Sequence, residues 1–164
     1  MTVAEMLSKE LEKEAVTTRK MLSIIPEEKF GWQPHTKSMD VMRLANHIAE
    51  LPGWIKMVVT TDELDFAITP YKPSKNNTTE ELLEFFEQNL KEGRENLTTV
   101  TEKELLKDWT LRNGDQVFDV SPKLDVIRMS ISQIIHHRAQ LGVFLRLLDV
   151  PIPGSYGPSA DEQT

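Results

Sequence analysis

Four stretches of this chain repeat apolar side chains every three or four residues, and each is bounded by a proline or a capping residue. That periodicity places one apolar stripe on each of four helices and leaves little room for sheet. The first stripe, within Val3 to Ile25, holds Leu7, Leu11, Thr18, Met21, Leu22 and Ile25, and Pro26 ends it. The second, about 39–59, holds Val41, Leu44, Ile48, Leu51, Ile55 and Val58. Ser38 is the expected N-cap there, with Asp40 in the first turn. Pro52 and Gly53 predict a kink or break near Leu51. The third, about 78–100, opens on the capping-box pair Thr78 and Glu81 and carries Leu82, Phe85, Phe86 and Leu90. The fourth, about 122–148, follows Ser121 and Pro122, read as N-cap and first helical residue. Its apolar arc centres on Ile127, Ile131, Ile134 and Leu145.

Residues 1–164 therefore read as one all-α domain, an antiparallel four-helix bundle with a proline-rich tail over 149–164. The segment TTDELDFAITPYKPSKNN reads as a loop. WTLRNGDQVFDVSP, with its Asn113-Gly114 pair, predicts a short hairpin or ordered loop between the third and fourth helices. The order of the helices around the bundle stays open.

Composition narrows the function. A net charge of −7 without a basic cluster argues against nucleic acid as a partner. The absence of cysteine removes disulfides, thiolate metal sites and a cysteine nucleophile together. No apolar run reaches the length of a membrane span, and the N-terminal residues lack a signal-peptide pattern, so a cytoplasmic protein without a membrane partner is the expectation.

The chemistry lies in polar residues on apolar stripes. In IIHHRAQL, His136 falls opposite the apolar arc, His137 within or beside it, and Arg138 near its centre, where only a paired guanidinium is stable. Glu14 interrupts the first stripe in the same way, so Glu14 and Arg138 are expected to pair. On the second helix, His47 sits at the margin of the apolar arc, with Glu50 and Trp54 along nearly the same edge. His47, Gln133 and His137 then offer two imidazoles and an amide on two helices, Gln133 and His137 at the i, i+4 spacing that brings two ligands onto one metal. An edge histidine is more often structural than ligating, and Gln at the first position of the pair weakens the signal, since a neutral carbonyl is a poorer ligand than imidazole. His35 reads as a residue that orders its loop, and Trp54 with Phe144 as core.

The string HHRAQLGVFLRLL resembles the HHRGQL signature of the DinB-like family of four-helix-bundle proteins. LANHIAELPGW is similar to that family's first metal-histidine helix, and WQPHTKSM and PGSYGPSADE resemble a subgroup of it. The resemblance implies a divalent metal, zinc or nickel, held by three histidines. By position the ligands fall on His47, Gln133 and His137, so the middle one departs from the pattern. With a metal bound there, Arg138, Trp54 and Gln140 are expected around the ligands and a metal-bound water or low-molecular-weight thiol as nucleophile, with Glu14 and Glu50 as candidate catalytic proton acceptors. Three readings follow: a metal-dependent hydrolase or thiol-dependent S-transferase, a non-catalytic metal- or ligand-binding bundle with a degenerate site, and a stress-related scaffold. A homodimer is expected, through apolar residues on secondary positions such as Met129, Val143 and Leu147.

Overall fold

The computed structural model describes residues 1–162. Its four long helices are α1 (Val3–Ser23), α2 (Val41–Thr60), α3 (Thr79–Thr99) and α5 (Lys123–Leu147); the short α4 (Glu102–Leu105) follows α3. The strands are β1 (Glu63–Asp65), β2 (Asp108–Asn113) and β3 (Gln116–Pro122). Both α1 and α2 pack against α3 and α5, so the order around the bundle is α1, α3, α2, α5, and α1 and α2 lie on a diagonal. This explains why α2 buries such a wide face: Val41, Leu44, Ala45, Ile48, Ala49, Leu51, Ile55 and Val58 serve two neighbours at once. Each large apolar side chain so buried contributes about 1.5–3 kcal/mol.

The helix starts follow local chemistry. Thr2 and Glu5 form a reciprocal capping box on α1. Thr78 Oγ1 accepts from the Glu81 amide at the start of α3, as expected, whereas the Glu81 carboxylate takes the amide of Asn77. Two caps differ from expectation. Asp40, not Ser38, caps α2, its carboxylate accepting the Arg43 amide at 2.7 Å, while the Ser38 amide closes a turn onto His35. Ser121 lies in β3 with its hydroxyl on Asp119, so α5 begins after Pro122 without a side-chain cap.

The expected break near Leu51 is absent: α2 continues through Pro52. Proline removes one N–H from the helical ladder, but contacts on both flanks hold the helix there. The Ser130 hydroxyl of α5 donates to the Leu51 carbonyl at 2.7 Å. On the other side α3 presents Gly93, where a Cβ would stand only 2.6 Å from the Pro52 carbonyl oxygen. Gly93→Ala is therefore expected to destabilise the fold by about 1–2 kcal/mol, the clash outweighing alanine's better helix propensity. A urea unfolding series measures it; an unchanged or higher midpoint would show that the two helices can separate without cost.

The segment read as a loop contains β1, parallel to β2, and β2 pairs antiparallel with β3, giving a three-stranded sheet in the order β1-β2-β3. The hairpin turns at Gly114, whose φ of +57° suits glycine. Asp65 ties the sheet together, its carboxylate accepting the amides of Ala67 and Gly114. These hydrogen bonds, Gly114 first, hold its carboxyl below the usual range.

Lys123 at the start of α5 is only 1% exposed. Its ammonium donates to the Glu104 carboxylate at 2.6 Å and lies 3.3 Å from that of Asp62. Hydrogen bonds from Lys107 and then Lys123 lower the Glu104 carboxyl from 4.5 to about 2. A carboxyl depressed by folding stabilises fully above its unfolded pKa and loses that contribution as pH falls through the folded one. Glu104→Gln is therefore expected to destabilise the protein at pH 6, with the gap to wild type closing between pH 4.5 and about 2. Urea midpoints across that window measure it, and a gap independent of pH would exclude the ion pair as its origin.

Candidate metal centre

His137 and Arg138 are neighbours on α5, and consecutive helical residues point about 100° apart. In this bundle that angle separates two sites. Arg138 faces α1, where one Nη donates to a Glu14 carboxylate oxygen at 2.7 Å and the other to the Glu14 carbonyl and Thr18 hydroxyl, each at 3.1 Å. Both charged residues are buried, so the carboxylate and guanidinium predicted on facing stripes meet directly. Tyr156 of the tail lies on the same cluster, its hydroxyl 3.4 Å from Arg138 and its ring under the guanidinium.

His137 faces α2 instead. Its ring centroid lies 4.7 Å from that of His47, the rings meeting edge to face. His47 Nδ1 is 2.7 Å from Glu50 Oε1, and His137 Nδ1 is 2.9 Å from Gln140 Oε1. Carboxylate and amide oxygens only accept hydrogen bonds, so this geometry puts the hydrogen on Nδ1 of both rings. Each Nε2 is then a lone-pair donor, and neither makes a hydrogen bond among the described residues. Metal-binding histidines are oriented in this way, one ring nitrogen held by an acceptor and the other directed to the ion. Burial, opposed by the Gln140 hydrogen bond and aided by the neighbouring imidazoles, pulls the His137 pKa below its usual value, and that net lowering favours the neutral ligand form.

Gln133 lies one turn before His137 on α5, half-buried, with no side-chain hydrogen bond among the described residues. Among these residues no three His, Asp or Glu side chains are placed to hold a metal; the imidazoles that meet are His47 and His137, and Gln133 is the amide one turn before the latter. His136 is exposed, its ring centroid 4.8 Å from that of His137. Trp54 is half-buried on α2. The ring that meets Phe144 is Trp32 from the α1–α2 connector, at 5.6 Å. His35 is exposed, its Nδ1 accepting the Lys37 amide within that connector.

The sequence did not point to Tyr71. It lies in the α2–α3 connector and donates its hydroxyl hydrogen to Glu50 Oε1 at 2.7 Å, the oxygen that also receives His47. Burial, then the hydrogen bond and charge of Glu50, push this hydroxyl up to about 12, so it stays protonated at neutral pH. The connector is fastened near this point by Asn46, one residue before His47, whose side-chain oxygen accepts both the backbone and side-chain N–H of Asn76. Tyr71 and Glu50 are 21 residues apart, and no helical or strand period relates them; Asn46 preceding His47 was the only local clue that a segment is pinned there.

A family model described as DinB family matches residues 1–164. A crystal structure of a DinB-like protein from Bacillus cereus ATCC 10987 superposes with a TM-score of 0.71 at 20% identity, covering 93% of this chain and 97% of that one. A DinB-like protein from Bacillus subtilis gives 0.71 at 14% identity, over 92% and 97% of the two chains. A protein assigned to the DinB family from Exiguobacterium sibiricum 255-15 gives 0.69 at 20%, over 94% and 97%. These likenesses establish the shared fold. No match is found among curated proteins.

Proposed function

Because the chain belongs to the DinB family, we propose that it binds a divalent transition-metal ion, zinc or nickel, between α2 and α5. His47 and His137 are the principal ligands and Gln133 the third. One observation carries this reading: the two imidazoles meet with both Nδ1 atoms held by acceptors and both Nε2 atoms free. When bound, such an ion lowers the pKa of a water or thiol at its open positions and supplies the nucleophile that a cysteine-free chain lacks.

The chain's own residues divide the remaining work. Glu50 and Gln140 orient the two rings. Both hydrogen bonds to Glu50 fall on Oε1, leaving Oε2 to accept a proton from a bound water or thiol. Tyr71 keeps Glu50 in place. Glu14, the other candidate proton acceptor, is engaged by Arg138 on the α1 side, where the pair fixes the register of α5 against α1. The activity that fits is hydrolysis or thiol-dependent group transfer. The amide at position 133 favours a second reading, metal binding without catalysis. An outward stripe on α5, with Met129, Val143 and Leu147 exposed, is the surface proposed for a homodimer.

The test is a titration of untagged, chelator-treated protein with Zn²⁺ and Ni²⁺ against a chromophoric competitor. Wild type is expected to bind one ion per chain, His47→Ala to lose binding, and Glu50→Gln to weaken it by about 10–100-fold, the usual effect of losing the partner of a ligating histidine. Equal affinity in wild type and His47→Ala would refute the site.

A further inference from the structure

This chain has seven arginines, and six of them have a carboxylate within 4 Å: Arg19, Arg94, Arg112, Arg128, Arg138 and Arg146. Among the described residues the exception is Arg43. It is exposed, and its guanidinium makes no hydrogen bond or ion pair. In a chain with a net charge of −7, acidic partners are not scarce, and this cation stands apart from them at one particular place. Arg43 lies one helical turn before His47 on the same face of α2, a rise of about 6 Å. Three residues after His47 comes Glu50, whose carboxylate holds both His47 and Tyr71, and the Arg43 charge opposes, as the smallest of the causes, the rise that burial and Glu50 give the Tyr71 hydroxyl.

We propose that Arg43 is the anion-binding residue of the His47–His137 site, and that the ligand is a small molecule bearing a carboxylate. The carboxylate sits on the Arg43 guanidinium, whose fork of N–H donors matches it, while a second donor atom of the ligand reaches the space between the two Nε2 atoms. This placement of the second donor rests on the metal reading above. The surrounding charges fix the direction of binding. Glu50 lies beyond His47 from Arg43 and repels an anion, so the negative end belongs at the Arg43 end and the uncharged part beside Glu50. Asp40, the other acidic group near Arg43, is turned to the backbone as the cap of α2. Tyr71 has already given its one hydrogen to Glu50 and offers the carboxylate no donor, which leaves recognition to Arg43.

Calorimetric titration with succinate and with its neutral analogue succinamide tests this at fixed ionic strength, on the metal-free protein and on protein loaded with Zn²⁺. Succinate is expected to bind the metal-free chain, to shift the ring-proton signals of His47 and His137, and to bind more tightly after loading; succinamide is expected not to bind the metal-free chain. Arg43→Gln should weaken succinate at least tenfold in both forms, with Arg43→Lys in between; the residue is exposed, so both variants should fold. Succinate affinity unchanged in Arg43→Gln, unmoved histidine signals, or succinamide binding equally well would each overturn the proposal. Arg43-dependent binding without any effect of Zn²⁺ would uphold the anion site and remove the metal reading; tight Zn²⁺ binding with succinate affinity independent of Arg43 would do the reverse.

Discussion

Arg138→Met is expected to lower the unfolding free energy by about 3–5 kcal/mol, because it leaves the Glu14 carboxylate buried without its cation. Glu14 is 5% exposed and Arg138 3%, so water cannot readily replace the lost partner. The Glu14→Leu, Arg138→Met double variant is the informative control. Removing both charges also removes their desolvation cost, and apolar replacements of buried ion pairs are often neutral. The double variant is therefore expected to recover most of the loss. Urea unfolding of wild type, both single variants and the double variant completes the cycle. If the double variant is as unstable as Arg138→Met, the guanidinium matters chiefly through its bonds to the Glu14 carbonyl and Thr18 hydroxyl, or through packing, and the carboxylate is incidental.

This ion pair also shows what a sequence discloses. Glu14 and Arg138 were legible because each interrupts an apolar stripe, and a buried charge demands a partner. The same periodicity gave all four long helices and the inward lean of His47 and His137. Features that depend on contacts from distant segments were not legible. Pro52 reads as a helix breaker on local rules, yet Ser130 and Gly93, far along the chain, supply the contacts that keep α2 whole. Residues 63–65 are too few to show a strand's alternation; β1 exists because β2 offers its edge and Asp65 gathers amides from the hairpin turn. Ser38 and Asp40 were both chemically fit to cap α2, and only the turn at His35 decides between them. In the candidate site the helix-borne histidines were visible, but Tyr71 and Arg43 were not, because a connector brings Tyr71 there and Arg43 is marked out only by its lack of a partner.

Gln133→His is expected to tighten zinc or nickel binding by about 100-fold, on the order of 3 kcal/mol. The substitution exchanges a neutral amide oxygen for an imidazole, a stronger donor to these ions, at a position one turn from His137 with no existing hydrogen bond to break. The variant offers two imidazoles one turn apart on α5, with His47 opposite them on α2. Chelator competition reads the affinity directly, and thermal unfolding reads it by linkage: at a metal concentration of 100 Kd a single site adds about 2.7 kcal/mol of stability. The melting temperature should therefore rise with metal and stay near the wild-type value without it. Placing Gln133→His in a His47→Ala background tests whether the gain belongs to this site, because an i, i+4 histidine pair can bind weakly on any exposed helix. A gain that survives loss of His47 would mean that position 133 does not converge with the α2 imidazole, and the three-donor centre would have to be abandoned. A gain that requires His47, accompanied by hydrolysis or thiol transfer absent from wild type, would identify the amide as what holds this bundle to binding alone.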